Sequence, residues 1–217
     1  MFGHKVVIRS LTPDLSVALS NLGEEFNVLS GLLDKKFEGI IVDAGGYIGT
    51  SSLKLSDMYP NAKVIVIEPS TENYKILKQN TKNNKNITVI QAALAPISKG
   101  DIVLSNRGTG EWGFTIISNP KDNPRATHIE KVKTITLSEI RAMFDHKEIG
   151  LMKLDIEGGE KDLIEKDSKN MHDIYAIFAE LHDRIIDGCT DAFKGLSPDR
   201  TVLNFGGEKY LSVKKRI

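Results

Sequence analysis

The chain holds one cysteine, Cys189, which excludes an internal disulfide and any metal site built from cysteines. It carries no net charge: 29 lysines and arginines balance 29 aspartates and glutamates, so nothing electrostatic singles out a nucleic acid as partner. No apolar run approaches the length of a membrane span. Met1 to Ser10 lacks the long apolar core of a signal peptide, and the expected location is cytoplasmic. Repeats, low-complexity tracts and long linkers are not visible. The Asn/Asp-Pro-Pro-Tyr/Phe signature of amino-methylating enzymes is also missing, a second sign against nucleic acid as substrate. What is present, 217 residues with 40% hydrophobic content, suffices for one domain with a full α/β core.

The patterning alternates strand and helix. Val6 to Arg9 reads as a short opening strand, with Asp14 as a helix cap after it. Ile40 to Asp43 is the first core strand, with a helix expected from Tyr47 to Leu55. Lys63 to Ile67 and Ile87 to Ile90 follow as strands, separated by a helix behind Ser70. This order predicts a doubly wound, mostly parallel sheet. Asp101 to Ile117 reads as a short hairpin insert around Gly108, Gly110 and Gly113, and Val132 to Leu137 as a further strand. Leu151 to Asp155 and Ile174 to Leu181 are strands on either side of a helix opening at Glu160. The tail, around Gly206-Gly207, reads as a closing hairpin. The expected organisation is one domain over 1–217: an N-terminal segment 1–38, a cofactor-binding core 39–182 and a C-terminal segment 183–217.

Three constellations carry chemistry. The first is Asp43-Ala44-Gly45-Gly46-Tyr47-Ile48-Gly49-Thr50 at the end of the first core strand. A dinucleotide turn, G-x-G-x-x-G, would need glycine at 45, 47 and 50, where Tyr47 and Thr50 stand. The D-x-G-x-x-x-G spacing fits S-adenosylmethionine (SAM) instead. Glycines let the backbone approach a ligand. Asp43 is placed to fix the turn and face the methionine ammonium. Glu68, before Pro69, ends the next strand, where a carboxylate accepts two hydrogen bonds from ribose hydroxyls. Ala92 at the end of the third strand leaves room for adenine. The competing reading is a generic NAD-binding turn.

The second is Lys153-Leu154-Asp155-Ile156-Glu157-Gly158-Gly159-Glu160, with Asp155 expected in the crevice beside the sulfonium. Glu157 and Glu160 also suit a plain helix N-terminus. The third is Glu180-Leu181-His182, expected beside Asp155. Asp155, Glu180 and His182 are the candidate catalytic residues: a base for an acceptor hydroxyl, or three ligands for a divalent cation. Trp112, in the glycine-rich insert, either stacks on a flat acceptor or pins its loop.

In order along the chain, Ile41 to Gly49, Ile67-Glu68-Pro69 with Asn73, Ala92-Ala93-Leu94, Leu151 to Glu160 and Glu180-Leu181-His182 resemble the FkbM family of SAM-dependent methyltransferases. The block Lys153-x-Asp155-x-Glu157-Gly158 is the most family-specific part. The resemblance implies a Rossmann-like class I methyltransferase fold with a seven-stranded sheet and helices on both faces. It implies SAM as cofactor, with Asp43, Gly45, Gly49 and Glu68 among its contacts. It also implies O-methylation of a sugar, glycan or natural-product hydroxyl. Where family members often carry alanine and asparagine after the first turn glycine, this chain has Gly46 and Tyr47. A non-catalytic SAM-fold subunit is the alternative to an enzyme. A homodimer is compatible with the compact chain.

Overall fold

The computed structural model describes residues 3–98, 100–123 and 125–215. The short, mostly apolar runs form the sheet centre. β1 (Ile40–Ala44) is buried at every position, and after α1 (Asp14–Leu22) it is the first strand of the fold. α2 (Thr50–Met58), β2 (Lys63–Ile67), α3 (Thr71–Thr81) and β3 (Ile87–Ile90) complete the first winding. Then come β4 (Ala93–Leu94), β5 (Asp101–Asn106), β6 (Phe114–Thr115) and β7 (Thr127–Ile135). The second winding is α4 (Leu137–Met143), β8 (Ile149–Leu154), α5 (Glu160–Lys166), α6 (Ser168–Asp173) and β9 (Ala176–Glu180). α7 (Cys189–Lys194) and the pair β10 (Arg200–Asn204) and β11 (Lys209–Lys214) close the chain.

The main sheet has seven strands in the order β10-β11-β9-β8-β1-β2-β3. Its centre is parallel, and β11 pairs antiparallel with both β9 and β10. Strand alternation sends side chains to two separate cores. Ile40, Val42, Met152 and Leu154 pack toward the side holding Leu163 and Phe193 of α5 and α7. Ile41, Val64, Val66 and Leu151 pack toward Phe26, Leu55 and Leu77. Both faces are therefore covered, as continuous apolar strands require.

Three expectations are corrected. Val6 to Arg9 forms no strand, and the side-chain amide of Asn80 answers the backbone of Val7: Val7 N donates to Asn80 Oδ1 at 2.7 Å, and Asn80 Nδ2 donates to Val7 O at 3.1 Å. The helix after the glycine turn starts at Thr50 and not at Tyr47, since Tyr47 and Gly49 hold φ of 49° and 86°. The insert is more than a hairpin. β5 pairs antiparallel with β6 and along β7, and β7 pairs parallel with β4, giving a second sheet in the order β4-β7-β5-β6 around Ala93, Leu104 and Val132. No helix among the described residues is long and apolar enough to cross a membrane.

Candidate active site

A cavity of about 740 Å³ opens beyond the carboxyl ends of β1, β2, β8 and β9. This is where open α/β sheets place ligands, and the volume lies in the usual small-molecule range of roughly 300–1,000 Å³. α1 and the insert form its roof, through residues such as Val17, Asn21, Thr109 and Trp112.

The glycine turn forms one end. Gly45 has φ of 84°, and a Cβ there would lie 1.8 Å from the carbonyl oxygen of Asp155. β1 and the loop after β8 can approach this closely only because residue 45 has no side chain. Asp43 is fully buried below the turn and does not line the cavity. Its Oδ2 accepts hydrogen bonds from Ser51 Oγ at 2.6 Å and Ser52 Oγ at 2.5 Å, tying β1 to the first turn of α2. Its Oδ1 lies 3.6 Å from Lys153 Nζ.

Glu68, at the end of β2, lines the cavity with Pro69. Tyr47 N and Ser70 N each donate to it at 2.9 Å, and Asn73 Nδ2 at 3.3 Å. Burial pushes its carboxyl up to about 7, against the pull of these donors and of the Lys153 ammonium. Tyr47 lines the cavity too, but its ring reaches outward: its hydroxyl donates to Asp14, which also pairs with Arg9 at 2.9 Å. The Arg9 guanidinium sits 5.4 Å from the Tyr47 ring centre. Asp14, expected as a helix cap, thus ties the leading segment to the turn; Pro13 occupies the cap position.

Gly46, Gly49 and Thr50 lie behind the turn. A Cβ on Gly46 would meet Val66 at 2.2 Å, and Thr50 Oγ1 accepts from Asn21 Nδ2 at 3.0 Å. Ala92 faces a separate shallow groove with Lys133 and Met143; Ala93 and Leu94 border the main cavity in its place. The one-residue difference follows from the break between β3 and β4, which sequence periodicity did not signal.

The opposite end is a carboxylate cluster. The structure brings Asp155, Glu180 and His182 together, as their places on neighbouring parallel strands predict. His182 Nε2 lies 3.7 Å from Asp155 Oδ1 and 3.8 Å from Glu180 Oε1. His182 itself has no exposed surface and stands behind the cavity wall. Its Nδ1 is 2.9 Å from Glu160 Oε1, a fully buried carboxylate that also accepts from Ile156 N and Gly158 N at 2.9 Å each. Burial alone would lower the imidazole pKa; Glu160, Glu157 and Asp155 outweigh it and push it up to about 10.

Two groups were not expected as site residues. Lys153 has its ammonium 3.1 Å from Asp155 Oδ2 and donates to Gly45 O at 2.6 Å. Burial acts to lower its pKa, but Asp155 and Asp43 raise it overall, so it stays charged. In turn Lys153 holds Asp155 low in spite of burial. Arg107, buried in the insert, pairs with Asp122 and Glu157 and donates to Gly113 O at 3.1 Å. Glu157 has φ of 53°, and burial pushes its carboxyl up to about 7. The signal for Lys153 was its position on a strand two residues before Asp155. Arg107 had no comparable signal, because its partners lie 15 and 50 residues away.

Trp112 is half exposed on the cavity rim and its Nε1 donates to Thr109 O. The indole bond holds the ring to its own loop.

The chain matches the model of the methyltransferase FkbM domain over residues 43–195. It is 25% identical over 181 residues to Methyltransferase 1 of Beauveria bassiana (strain ARSEF 2860), covering 71% of this chain and 72% of that protein. Its fold is similar to the N-terminal domain of human METTL16 in complex with SAH, with TM-score 0.51 and 12% identity over 99% of this chain and 76% of the other. It is also similar to a putative rRNA methylase from Clostridium thermocellum, with TM-score 0.52 and 11% identity over 97% and 99%. At such identities the two structures speak for the fold alone.

Proposed function

Since the chain belongs to the FkbM family of SAM-dependent methyltransferases, we propose that it methylates a hydroxyl of a small-molecule or glycan acceptor. One observation carries this reading: a single cavity joins a glycine turn with a ribose-suited carboxylate to a cluster of acids about a buried histidine. SAM lies with its ribose hydroxyls on Glu68 and its methionine end toward Gly45 and Lys153. The Lys153 ammonium answers the methionine carboxylate, while Asp43 supports the turn from below. The acceptor enters beside Trp112, and its oxygen meets the methyl group in line. The carbon–sulfur bond breaks, the oxygen–carbon bond forms, and sulfur leaves as the neutral thioether of S-adenosylhomocysteine. The hydroxyl proton passes to a carboxylate. Glu180 suits this role because burial raises its pKa, whereas Lys153 keeps Asp155 low. Holding the two reactants in near-attack geometry supplies most of the acceleration. The cavity wall interleaves Glu111, Asp122 and Glu208 with Arg107, Arg184 and Lys209, and Asp122 and Glu208 are paired with arginine, so it offers no uniformly basic track of the kind a phosphate backbone needs.

Calorimetry with SAM and S-adenosylhomocysteine tests the cofactor end. Wild type is expected to bind both at micromolar levels, and Glu68→Ala at least about tenfold more weakly, a loss of about 1.4 kcal/mol or more. Equal binding by the variant overturns the ribose assignment. Glu180→Gln is expected to keep SAM affinity and lose turnover about a hundredfold once an acceptor is found.

Binding is also expected to depend on pH. Only the ionised Glu68 accepts from both ribose hydroxyls. With its carboxyl at about 7, the competent fraction falls as pH drops, so affinity weakens about tenfold from pH 8 to pH 6. The charged and polar groups facing Glu68 are Lys153, Asn73 and the amides of Tyr47 and Ser70, and none of them titrates in that window. Glu68→Gln should flatten the profile; an unchanged slope in that variant would assign the dependence elsewhere.

A further inference from the structure

We propose that His182, Asp155 and Glu157 bind one divalent transition-metal ion of the Mn²⁺ or Zn²⁺ kind at the acceptor end of the cavity. The site's existence stands on its own geometry; only its role rests on the methyl-transfer reading above.

The first observation is an orphan. His182 Nε2 is buried and has no hydrogen-bond partner among the described residues. Buried polar atoms are paired in the great majority of cases, and an unpaired one calls for a cause. The second is what this atom faces. Glu157 Oε2 lies at 3.6 Å and Asp155 Oδ1 at 3.7 Å, and the donor atoms of all three residues lie within 4.8 Å of one another. These distances are too long for hydrogen bonds. They suit donors gathered about an ion: ligands at about 2.1–2.3 Å in a tetrahedral array sit about 3.4–3.8 Å apart.

The surroundings sort the oxygens. Asp155 gives its Oδ2 to Lys153 and turns its Oδ1 toward His182. His182 is fixed from behind, Nδ1 against Glu160, which is the carboxylate–histidine support that metal-ligating imidazoles usually have. Arg107 also reaches Glu157 Oε2, so the arginine sets the position of that ligand and shares its charge. The sequence pointed to Glu180 as third ligand. Geometry favours Glu157, because Glu180 groups with His182 and Glu208 instead. One nitrogen with carboxylate oxygens suits Mn²⁺ or Zn²⁺ better than the all-oxygen preference of Mg²⁺ or Ca²⁺. In methyl transfer the ion would take the acceptor oxygen at an open position and lower its pKa, and Glu180, outside the set, would receive the proton.

The test is metal binding to the full chain after treatment with EDTA and dialysis. Mn²⁺ is titrated by loss of the free-ion electron paramagnetic resonance signal, and Zn²⁺ by calorimetry. Wild type is expected to take up one equivalent of at least one of the two ions at micromolar levels. Asp155→Asn and His182→Ala should each bind at least tenfold more weakly, and Asp187→Asn, on a surface ion pair with Lys121, should bind as wild type does. Asp155 is partly exposed, so its variant keeps the test valid should His182→Ala fail to fold. No uptake of either ion at millimolar concentration, or equal uptake by Asp155→Asn, overturns the site. S-adenosylhomocysteine binding is measured in parallel: its failure beside intact metal binding would remove the methyl-transfer reading and leave the metal site standing.

Discussion

Glu160→Ala is expected to cost the metal-free fold about 3–5 kcal/mol, the loss that follows when one partner of a buried ion pair is removed. Glu160 has no exposed surface and satisfies three donors: the imidazole of His182 and the amides of Ile156 and Gly158. Alanine abandons all three at once in a place water does not reach. Urea unfolding in the presence of EDTA reads the effect as a midpoint lowered by roughly 1–5 M with an unchanged slope, given slopes of about 1–3 kcal/mol/M. Glu160→Gln keeps an oxygen acceptor and should fall between the two. A midpoint for Glu160→Ala within error of wild type would mean that the pair contributes nothing net, and the account of how the loop after β8 is held would be wrong.

Gly45→Ala is expected to abolish cofactor binding and to destabilise the fold by about 2–5 kcal/mol. Two costs combine. A left-handed backbone angle penalises any L side chain by about 1–2 kcal/mol. The new methyl would also stand 1.8 Å from a backbone oxygen, and overpacking typically costs about 1–3 kcal/mol. Gly206→Ala separates the terms, since Gly206 has φ of 95° but nothing within 4 Å of its would-be Cβ. It should lose only the first. Gly46→Ala meets side chains of Val66 and Leu77, which can shift, and should rank between. Calorimetry for the cofactor and thermal unfolding together check the order; Gly45→Ala binding SAM as wild type does would refute the close approach of β1 to the Asp155 loop.

Much of the frame was legible because it is local. β1, β2 and β8 are short and mostly apolar, each with a single charged residue, and the Asp43-to-Gly49 spacing announces the turn directly. The second sheet was not. β7 carries charges at Glu130, Lys131 and Lys133, as befits a strand exposed on one face, and its partner β5 lies some twenty to thirty residues upstream. No local pattern reports such pairing. The same reason hid Arg107, whose chemistry exists only once residues 107, 122 and 157 meet. α6 and α7, six residues each, are too short for a helical period to emerge. The leading segment deceived in the opposite sense: Val6 to Arg9 has strand composition, yet it forms no strand, and Asn80 answers the backbone of Val7.

Arg9, Asp14 and Tyr47 carry a kinetic implication. The hydroxyl of Tyr47 and the guanidinium of Arg9 share one fully buried carboxylate, so the leading segment is clasped to the glycine turn, the bend proposed to receive SAM. On the proposed placement of SAM, product leaving past α1 would have to unfasten that clasp. Its dwell time would then be governed by the leader, and the strength of the grip beneath would matter less to turnover than the latch above it.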